Sequence, residues 1–417
     1  MVFKCQEDSF LTEFRSRVVS CEPEGTGYQV IFEDTVLFPE GGGQPTDHGW
    51  VDDLPVRSVI RKGPTAIHFV EGRSVPFQPG QEVRQRVDWE RRFDHMQQHS
   101  GQHLITAIFD REFGVNTKSW WLGTEDSYVD LDTKDVTREQ LDKVERICNQ
   151  LIVDCTAVSV AVYQPDDPAL KSDVTRATRG LPEDVSGPLR VVTIDGIESN
   201  MCCGTHVRNL AQLQAVKFLN VEKGKAKCLV HFLVGGRVLR KLTECYDREV
   251  QFNGLLNGGA PSHVDLLRKL QTTVRTVQKS SRKMSSELAQ LEADKVNSAP
   301  DPKPKFYTVH RTDGPDSDYV NVFLRCVKLP ECFLFVTNAA DDTGKGAGQM
   351  ALQGRPEDIV ALGDQICALL EGKGNGKGPR YNAKVNKLKA IDQCRKLIEE
   401  HFRDAKAEKS VKIVELE

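Results

Sequence analysis

RRFDHMQQHSGQHLITAIFDREF, residues 91–113, carries no proline, and Phe93, Met96, His103 and Ile108 with their neighbours recur along it at helical spacing. It predicts a long, partly buried helix. The texture before it is different. Residues 1–88 are rich in Val, Ile, Phe and turn residues. Alternating stretches such as Tyr28-Gln29-Val30-Ile31-Phe32 and Val56-Arg57-Ser58-Val59-Ile60 lie between glycines and prolines there, which predicts short antiparallel strands in a small β-barrel-like domain. After the helix, SWWLGTEDSYVDLDT (119–133) reads as a strand, TREQLDKVERICNQLIVD (137–154) as a second amphipathic helix and AVSVAVYQ (157–164) as another strand. The order is mixed, and the fold class is α+β.

Further along, residues 263–297 lack Gly and Pro, and Leu266, Leu270, Val274, Val277, Met284, Leu288 and Leu291 recur every three, four or seven residues. A helix or helical hairpin is expected. SAPDPKPK (298–305) has three prolines and little apolar content, as a solvated linker does. A C-terminal α/β domain then contains strand-like VNVFLRCV (320–327) and CFLFVTNA (332–339), a glycine-rich turn DTGKGAGQ (342–349), the helical pattern PEDIVALGDQICALLEG (356–372) and a final charged helix. Four segments are expected: 1–88, β; 89–250, mixed α/β around the long helix; 251–305, helical connector and linker; 306–417, the C-terminal domain.

Composition limits the function. The chain has 417 residues, 28% of them charged and 39% apolar, with a net charge of -4. No stretch of 18 consecutive apolar residues is present, which excludes a membrane-spanning helix of the usual kind. The first residues, MVFKCQEDSFLTEF, mix charges among apolar side chains and lack the pattern of an export signal. A cytoplasmic protein is expected, and its twelve cysteines read as reduced thiols. Most, such as Cys148, Cys326 and Cys367, sit among apolar residues as small core side chains. Cys202 and Cys203 are different.

His99 and His103 are four apart on the predicted helix, so their imidazoles leave one face one turn apart. His95 is also four residues from His99. In NMCCGTHV (200–207), Cys202 and His206 are again four apart around Gly204. Three imidazoles and a thiolate form a plausible tetrahedral set for Zn²⁺. Ser100, Gly101 and Gln102 stand between the helical histidines, so the glutamate base of the HExxH proteases is missing, and so are the deaminase signature and paired CxxC knuckles.

HSGQH (99–103) with CCGTH (202–206) resembles the two zinc motifs of the alanyl-tRNA synthetase editing domain and of its free-standing relatives, the AlaX proteins. LFPEGGGQPTDHG (37–49) is similar to the glycine-rich motif of the longer AlaX proteins, and RRFDHMQQHSGQHL (91–104) to the context of their zinc helix. The likeness covers essentially the whole chain. It is strongest to the eukaryotic AlaX form, whose C-terminal domain is similar to that of alanyl-tRNA synthetase. It implies His99, His103, Cys202 and His206 as zinc ligands. Cys203 stands where the synthetases usually have glycine, and it either packs or substitutes for its neighbour; the four-residue spacing to His206 favours Cys202.

The resemblance also implies an enzyme that acts in trans, a hydrolase cleaving the ester of mischarged tRNA(Ala), chiefly Ser-tRNA(Ala) and secondarily Gly-tRNA(Ala). Such a second sieve is useful because an alanine pocket discriminates against serine or glycine by only about 1–3 kcal/mol. Gln102 and Thr117 are the candidates for contacting the serine hydroxyl. Zinc either activates a water or orders the pocket. Gly41, Gly42, Gly43 and Gln44 form a tight turn that either faces the tRNA terminus or lies against the pocket.

Three basic runs are candidates for phosphate contacts: Lys377, Arg380 and Lys384 in an acid-free, glycine-rich stretch over 373–391; Arg268 to Lys283 on the predicted helix; and Lys217 to Lys241. The competing reading is a non-catalytic, zinc-stabilised RNA-binding or scaffold protein of the same fold.

Overall fold

The structure, a computed structural model, describes residues 2–72, 77–164, 167, 175–176, 188–225, 227–312, 317–340 and 343–414, with side chains as far as 403. Residue contacts divide it into two units, Met1–Gln251 and Phe252–Glu417.

The first unit opens with a short helix α1 (Lys4–Glu7) and six strands, β1 (Glu13–Glu24), β2 (Gly27–Phe32), β3 (Gly49–Val51), β4 (Leu54–Lys62), β5 (Thr65–Glu71) and β6 (Glu82–Val87), which close into a barrel of order β1-β2-β5-β4-β3-β6. Alternation sets the inside: Tyr28, Val30 and Phe32 point inward from β2, and Val83, Gln85 and Val87 from β6. Closure removes the unpaired sheet edges.

The helix foreseen over 91–113 is α2 (Trp89–Phe113). The Asp88 side chain caps it by accepting from the Arg91 amide, and Gly114, at φ +62°, ends it. One stripe, Met96, Leu104, Ile105, Ile108 and Phe109, joins the core formed with Trp120, Val129 and Phe232, each large apolar side chain stabilising by about 1.5–3 kcal/mol. The helix is buried on its polar side as well, where Gln98, His99, Gln102 and His103 lie. Arg92 ties it to the barrel: its guanidinium pairs with buried Asp47 and donates to the carbonyls of Ser9 at 3.0 Å and Val36 at 2.7 Å.

Beyond α2, residues 119–133 depart from the single strand expected. They belong to a hairpin, β7 (Thr117–Leu122) and β8 (Ser127–Leu131), because Gly123 and Asp126 close a turn through a 3.1 Å backbone bond. Then follow α3 (Arg138–Val153), capped by Thr137 and Gln140, β9 (Val158–Tyr163), β10 (Thr175–Arg176), β11 (Leu189–Ile194), β12 (Glu198–Met201), β13 (Val216–Lys223), β14 (Cys228–Val234) and α4 (Gly236–Leu256). Two four-stranded sheets result, β10-β12-β11-β9 and β13-β14-β8-β7.

The second unit has a single long helix α5 (His263–Asn297), not a helical hairpin, and then β15 (Phe306–Arg311), α6 (Ser317–Cys326), β16 (Phe333–Ala339), β17 (Gly348–Gln353), α7 (Pro356–Leu369), β18 (Lys373–Lys377), β19 (Arg380–Val385) and α8 (Ile391–Val414). The sheet order is β15-β16-β17-β19-β18, and only its β15–β16 pair is parallel. VNVFLRCV, expected as a strand, is mostly helical. Tyr319, Phe323, Leu324 and Val327 recur at helical spacing and bury against Ala289, Ala293 and Val296 of α5, and this packing overrides the β-propensity of Val and Phe. The glycine-rich 343–347 has no strand or helix, and Asp342 lies outside the described residues. No helix among the described residues is long and apolar enough to cross a membrane.

Candidate metal centre

The site is built where α2 meets the loop after β12. His99 and His103 project from one face of α2, and β12 delivers Cys202 and His206 opposite them. One ligand atom from each of the four lies within 4.8 Å of the others. The Cys202 Sγ is 3.4 Å from His99 Nε2 and 3.3 Å from His206 Nε2. Ideal Zn–S and Zn–N bonds of about 2.3 and 2.0–2.1 Å at tetrahedral angles separate S from N by about 3.5 Å. The donor set therefore fits zinc in both chemistry and spacing.

Each imidazole is held through its other nitrogen. His99 Nδ1 is 2.9 Å from the side-chain carbonyl of Gln44, a group that only accepts, so His99 carries its proton on Nδ1 and leaves Nε2 free to ligate. His206 Nδ1 is 3.0 Å from Ser100 Oγ. His103 Nδ1 faces Glu198 Oε1 at 3.3 Å.

The loop itself is clamped. Buried Arg190 donates to the carbonyls of Cys202 at 2.8 Å and Gly204 at 2.7 Å, and Gln6 Nε2 donates to that of Cys203 at 2.7 Å. Burial opposes ionisation of the Cys202 thiol, but the surrounding His99, His206 and His103 hold it well below the usual thiol range. Thiolate is the form that binds metal. Cys203 is the reverse case: burial, then the neighbouring Cys202, pushes its thiol up to about 11. His95 stays outside the group, and burial takes it down to about 4.

The glycine-rich motif lies against this centre. Gln44 is fully buried; besides His99 it accepts from the Thr205 amide at 2.9 Å and donates to Thr205 Oγ1 at 2.8 Å. A Cβ on Gly42 would meet Cys203 Sγ at 2.6 Å, and one on Gly43 would meet the Trp120 ring at 2.4 Å; both have positive φ. A Cβ on Gly204 would strike His99 at 2.2 Å. Gly41 is less crowded, its nearest neighbour being the Pro39 carbonyl at 3.7 Å.

Gln102 and Thr117 are joined through a third residue. Gln102 Nε2 donates to Thr106 Oγ1 at 2.9 Å, and Thr106 Oγ1 is 3.1 Å from Thr117 Oγ1. The Gln102 carbonyl oxygen is buried without a hydrogen-bond partner among the described residues.

Lys377, Arg380 and Lys384 lie not in a loop but on the exposed hairpin of β18 and β19, turned at Gly378 and Pro379. Gly378 supplies φ +62° there. The register sets Lys373 opposite Lys384 and Lys377 opposite Arg380, and like charges directly opposite repel. Lys373 and Lys384 also line a cleft of about 510 Å³ with Asn321, Gln349 and Asn382. The central run is different: Lys217, Lys223 and Arg237 pair with Glu145, Asp135 and Asp94 at 2.6–2.7 Å. On α5, Arg268, Arg282 and Lys283 have looser acidic partners at 3.4–3.7 Å.

Reading the residues alone missed Glu198 and Arg190. The available signal for Glu198 was an acid at an inward-facing position of the strand that ends just before Cys202, since Glu198 and Asn200 are the buried pair of β12.

Residues 189–229, which carry Cys202 and His206, match the family described as threonyl and alanyl tRNA synthetase second additional domain. The chain is 43% identical over 422 residues to alanyl-tRNA editing protein Aarsd1 of Mus musculus, covering 98% of this chain and 100% of that protein. It is 43% identical over 401 residues to alanyl-tRNA editing protein Aarsd1-A of Xenopus laevis, covering 93% and 95%. At 25% identity over 280 residues it also matches alanyl-tRNA editing protein AlaX-L of Pyrococcus horikoshii, covering 65% and 66%. With the zinc-type donor set, the clamped loop and these relatives together, the chain belongs to the alanyl-tRNA editing protein family.

Proposed function

We propose that the protein is a zinc-dependent aminoacyl-tRNA deacylase that removes serine, and secondarily glycine, from mischarged tRNA(Ala). The observation that carries this reading is the convergence of His99, His103, Cys202 and His206 in a chain of the alanyl-tRNA editing family. In the overall reaction, water adds to the ester carbonyl and the bond to the terminal ribose oxygen breaks, giving free amino acid and tRNA. A zinc ion held by the four side chains would order the pocket beside that carbonyl and, with one ligand displaced, would supply Lewis acidity there.

Selectivity falls to the polar chain next to His103. The Gln102 carbonyl, buried and without a partner among the described residues, accepts the hydroxyl of a seryl group in this reading, with Thr106 and Thr117 holding the amide's orientation. An alanyl group leaves that acceptor unpaired, at a cost of about 1–3 kcal/mol. That is the sign of discrimination an editing site needs. Gly41 to Gln44 support the ligand shell and bring the barrel against the reacting end of the substrate. Lys377, Arg380 and Lys384 contact tRNA phosphates, which relieve the like-charge repulsion of the hairpin.

The test is deacylation of Ser-tRNA(Ala) and Ala-tRNA(Ala) by the purified protein, before and after stripping with chelator. Seryl release should exceed alanyl release, stop on stripping and return with added zinc. Zinc-loaded protein that binds tRNA(Ala) but releases neither amino acid would overturn the reading in favour of a non-catalytic RNA-binding member of the family.

A further inference from the structure

The three imidazoles of the metal centre are anchored by unlike groups. Gln44 and Ser100 are neutral, whereas Glu198 brings a carboxylate to His103. Its side chain is 4% exposed, and Oε1 lies 3.3 Å from His103 Nδ1, within reach of a proton on that nitrogen. Apart from His103, neither carboxylate oxygen has a hydrogen-bond partner among the described residues. A buried carboxylate left in that state costs several kcal/mol unless a positive charge compensates it.

Backbone geometry puts it there. In β12 the side chains alternate, so Glu198 and Asn200 face inward while Ser199 and Met201 turn toward the surface. Register with β11 pairs Glu198 with Ile194, and Cys202 continues the chain at the end of the strand. A residue four positions before the thiolate ligand thereby meets the second histidine of α2 from the side away from the thiolate.

We infer that Glu198 is the positioning residue of the metal centre, an inference that rests on the zinc reading above. It holds the proton on His103 Nδ1 and so presents the Nε2 lone pair to the metal. Together with the Cys202 thiolate it places acidic groups around the zinc inside a buried site. Carboxylate partners of this kind stiffen and strengthen histidine ligands, and their loss typically lowers metal affinity about 10- to 100-fold.

The experiment compares wild type, Glu198→Gln and Glu198→Ala for zinc affinity by chelator competition, for the visible spectrum of the cobalt-substituted protein, and for Ser-tRNA(Ala) turnover with zinc in excess. Glu198→Ala should bind zinc about 10- to 100-fold more weakly and shift the cobalt bands, and Glu198→Gln should fall between it and wild type. With zinc saturating, KM should stay within about twofold while kcat falls, since the residue acts through a ligand and not on tRNA binding. Glu198→Gln, isosteric with the native side chain, keeps the test decisive should the alanine variant fail to fold. Equal zinc affinity and unchanged cobalt bands in both variants would overturn the inference and leave the zinc reading standing. A wild type without zinc affinity would overturn both.

Discussion

Two glycine-rich stretches of this chain look alike on paper and differ completely in the fold. Gly41-Gly42-Gly43-Gln44 reads as a tight turn that either faces the tRNA terminus or lies against the pocket, and the lysine-glycine stretch from Lys373 as a carrier of phosphate contacts. The first is packed into the candidate metal centre, its glycines making room for Cys203 and Trp120 and its glutamine held by His99 and Thr205. The second is an exposed edge hairpin with cations facing cations. What separates them is the company the glycines keep. Uncharged neighbours let the backbone approach a buried core, whereas lysines every few residues hold a strand at the surface, where an unpaired edge is tolerable.

Removing a ligand should separate the two regions most sharply. Cys202→Ala or His103→Ala should lose zinc, measured by metal analysis, and with it seryl-tRNA hydrolysis, by a factor on the order of a thousand or more. Gln44→Ala tests the comparison directly. If the glycine-rich motif serves the ligand shell, metal affinity should fall about 10- to 100-fold because His99 loses its acceptor, while the affinity for tRNA(Ala) stays near wild type. Full zinc retention with weakened tRNA binding would move this motif to the tRNA surface and erase the distinction.

The hairpin should respond in the opposite way. Changing Lys377, Arg380 and Lys384 together to alanine should leave zinc content intact, weaken tRNA binding about tenfold or more at moderate salt, and lower the slope of log affinity against log salt by about 2 to 3, since each lost phosphate contact removes roughly 0.7–0.9 of a released counterion. Turnover at saturating Ser-tRNA(Ala) should change little, because such contacts are equal in ground and transition states. An unchanged slope with unchanged affinity would make the hairpin a solvated edge and turn attention to the basic face of α5.

Much of this was legible without coordinates wherever the pattern is local. The period of α2, the i and i+4 spacing of His99 with His103 and of Cys202 with His206, and the alternation in the barrel strands are short-range signals, and each corresponds to an observed element. Legibility failed where tertiary packing decides. VNVFLRCV has strand composition but a helical burial pattern that only α5 makes visible. Gln44 and Glu198 come from segments 154 residues apart (198 - 44) and meet only through α2; no local rule joins a glycine-rich turn, a strand acid and two histidines. Burial of a polar stripe on α2 likewise hides in the sequence, because its histidines and glutamines look like an exposed face until the loop after β12 covers the former and the end of β14 covers Gln98.

The smallest effect is expected at Cys203, next to a ligand and still outside the ligand group. Its carbonyl accepts from Gln6 Nε2 at 2.7 Å, a bond that a glycine would keep, and its sulfur fills the space beside Gly42. Burial and the neighbouring Cys202 push its thiol up to about 11, and its sulfur lies outside the group of four donors. Cys203→Gly should therefore keep one zinc per chain and near-wild-type hydrolysis. It should cost about 1–2 kcal/mol of stability from the lost packing and the added chain entropy, read as a fall of a few degrees in Tm. Loss of zinc in this variant, with retention in Cys202→Ala, would exchange the roles of the two cysteines. It would also mean that the four-residue spacing to His206, which singled out Cys202, reflects the course of the loop and not the metal.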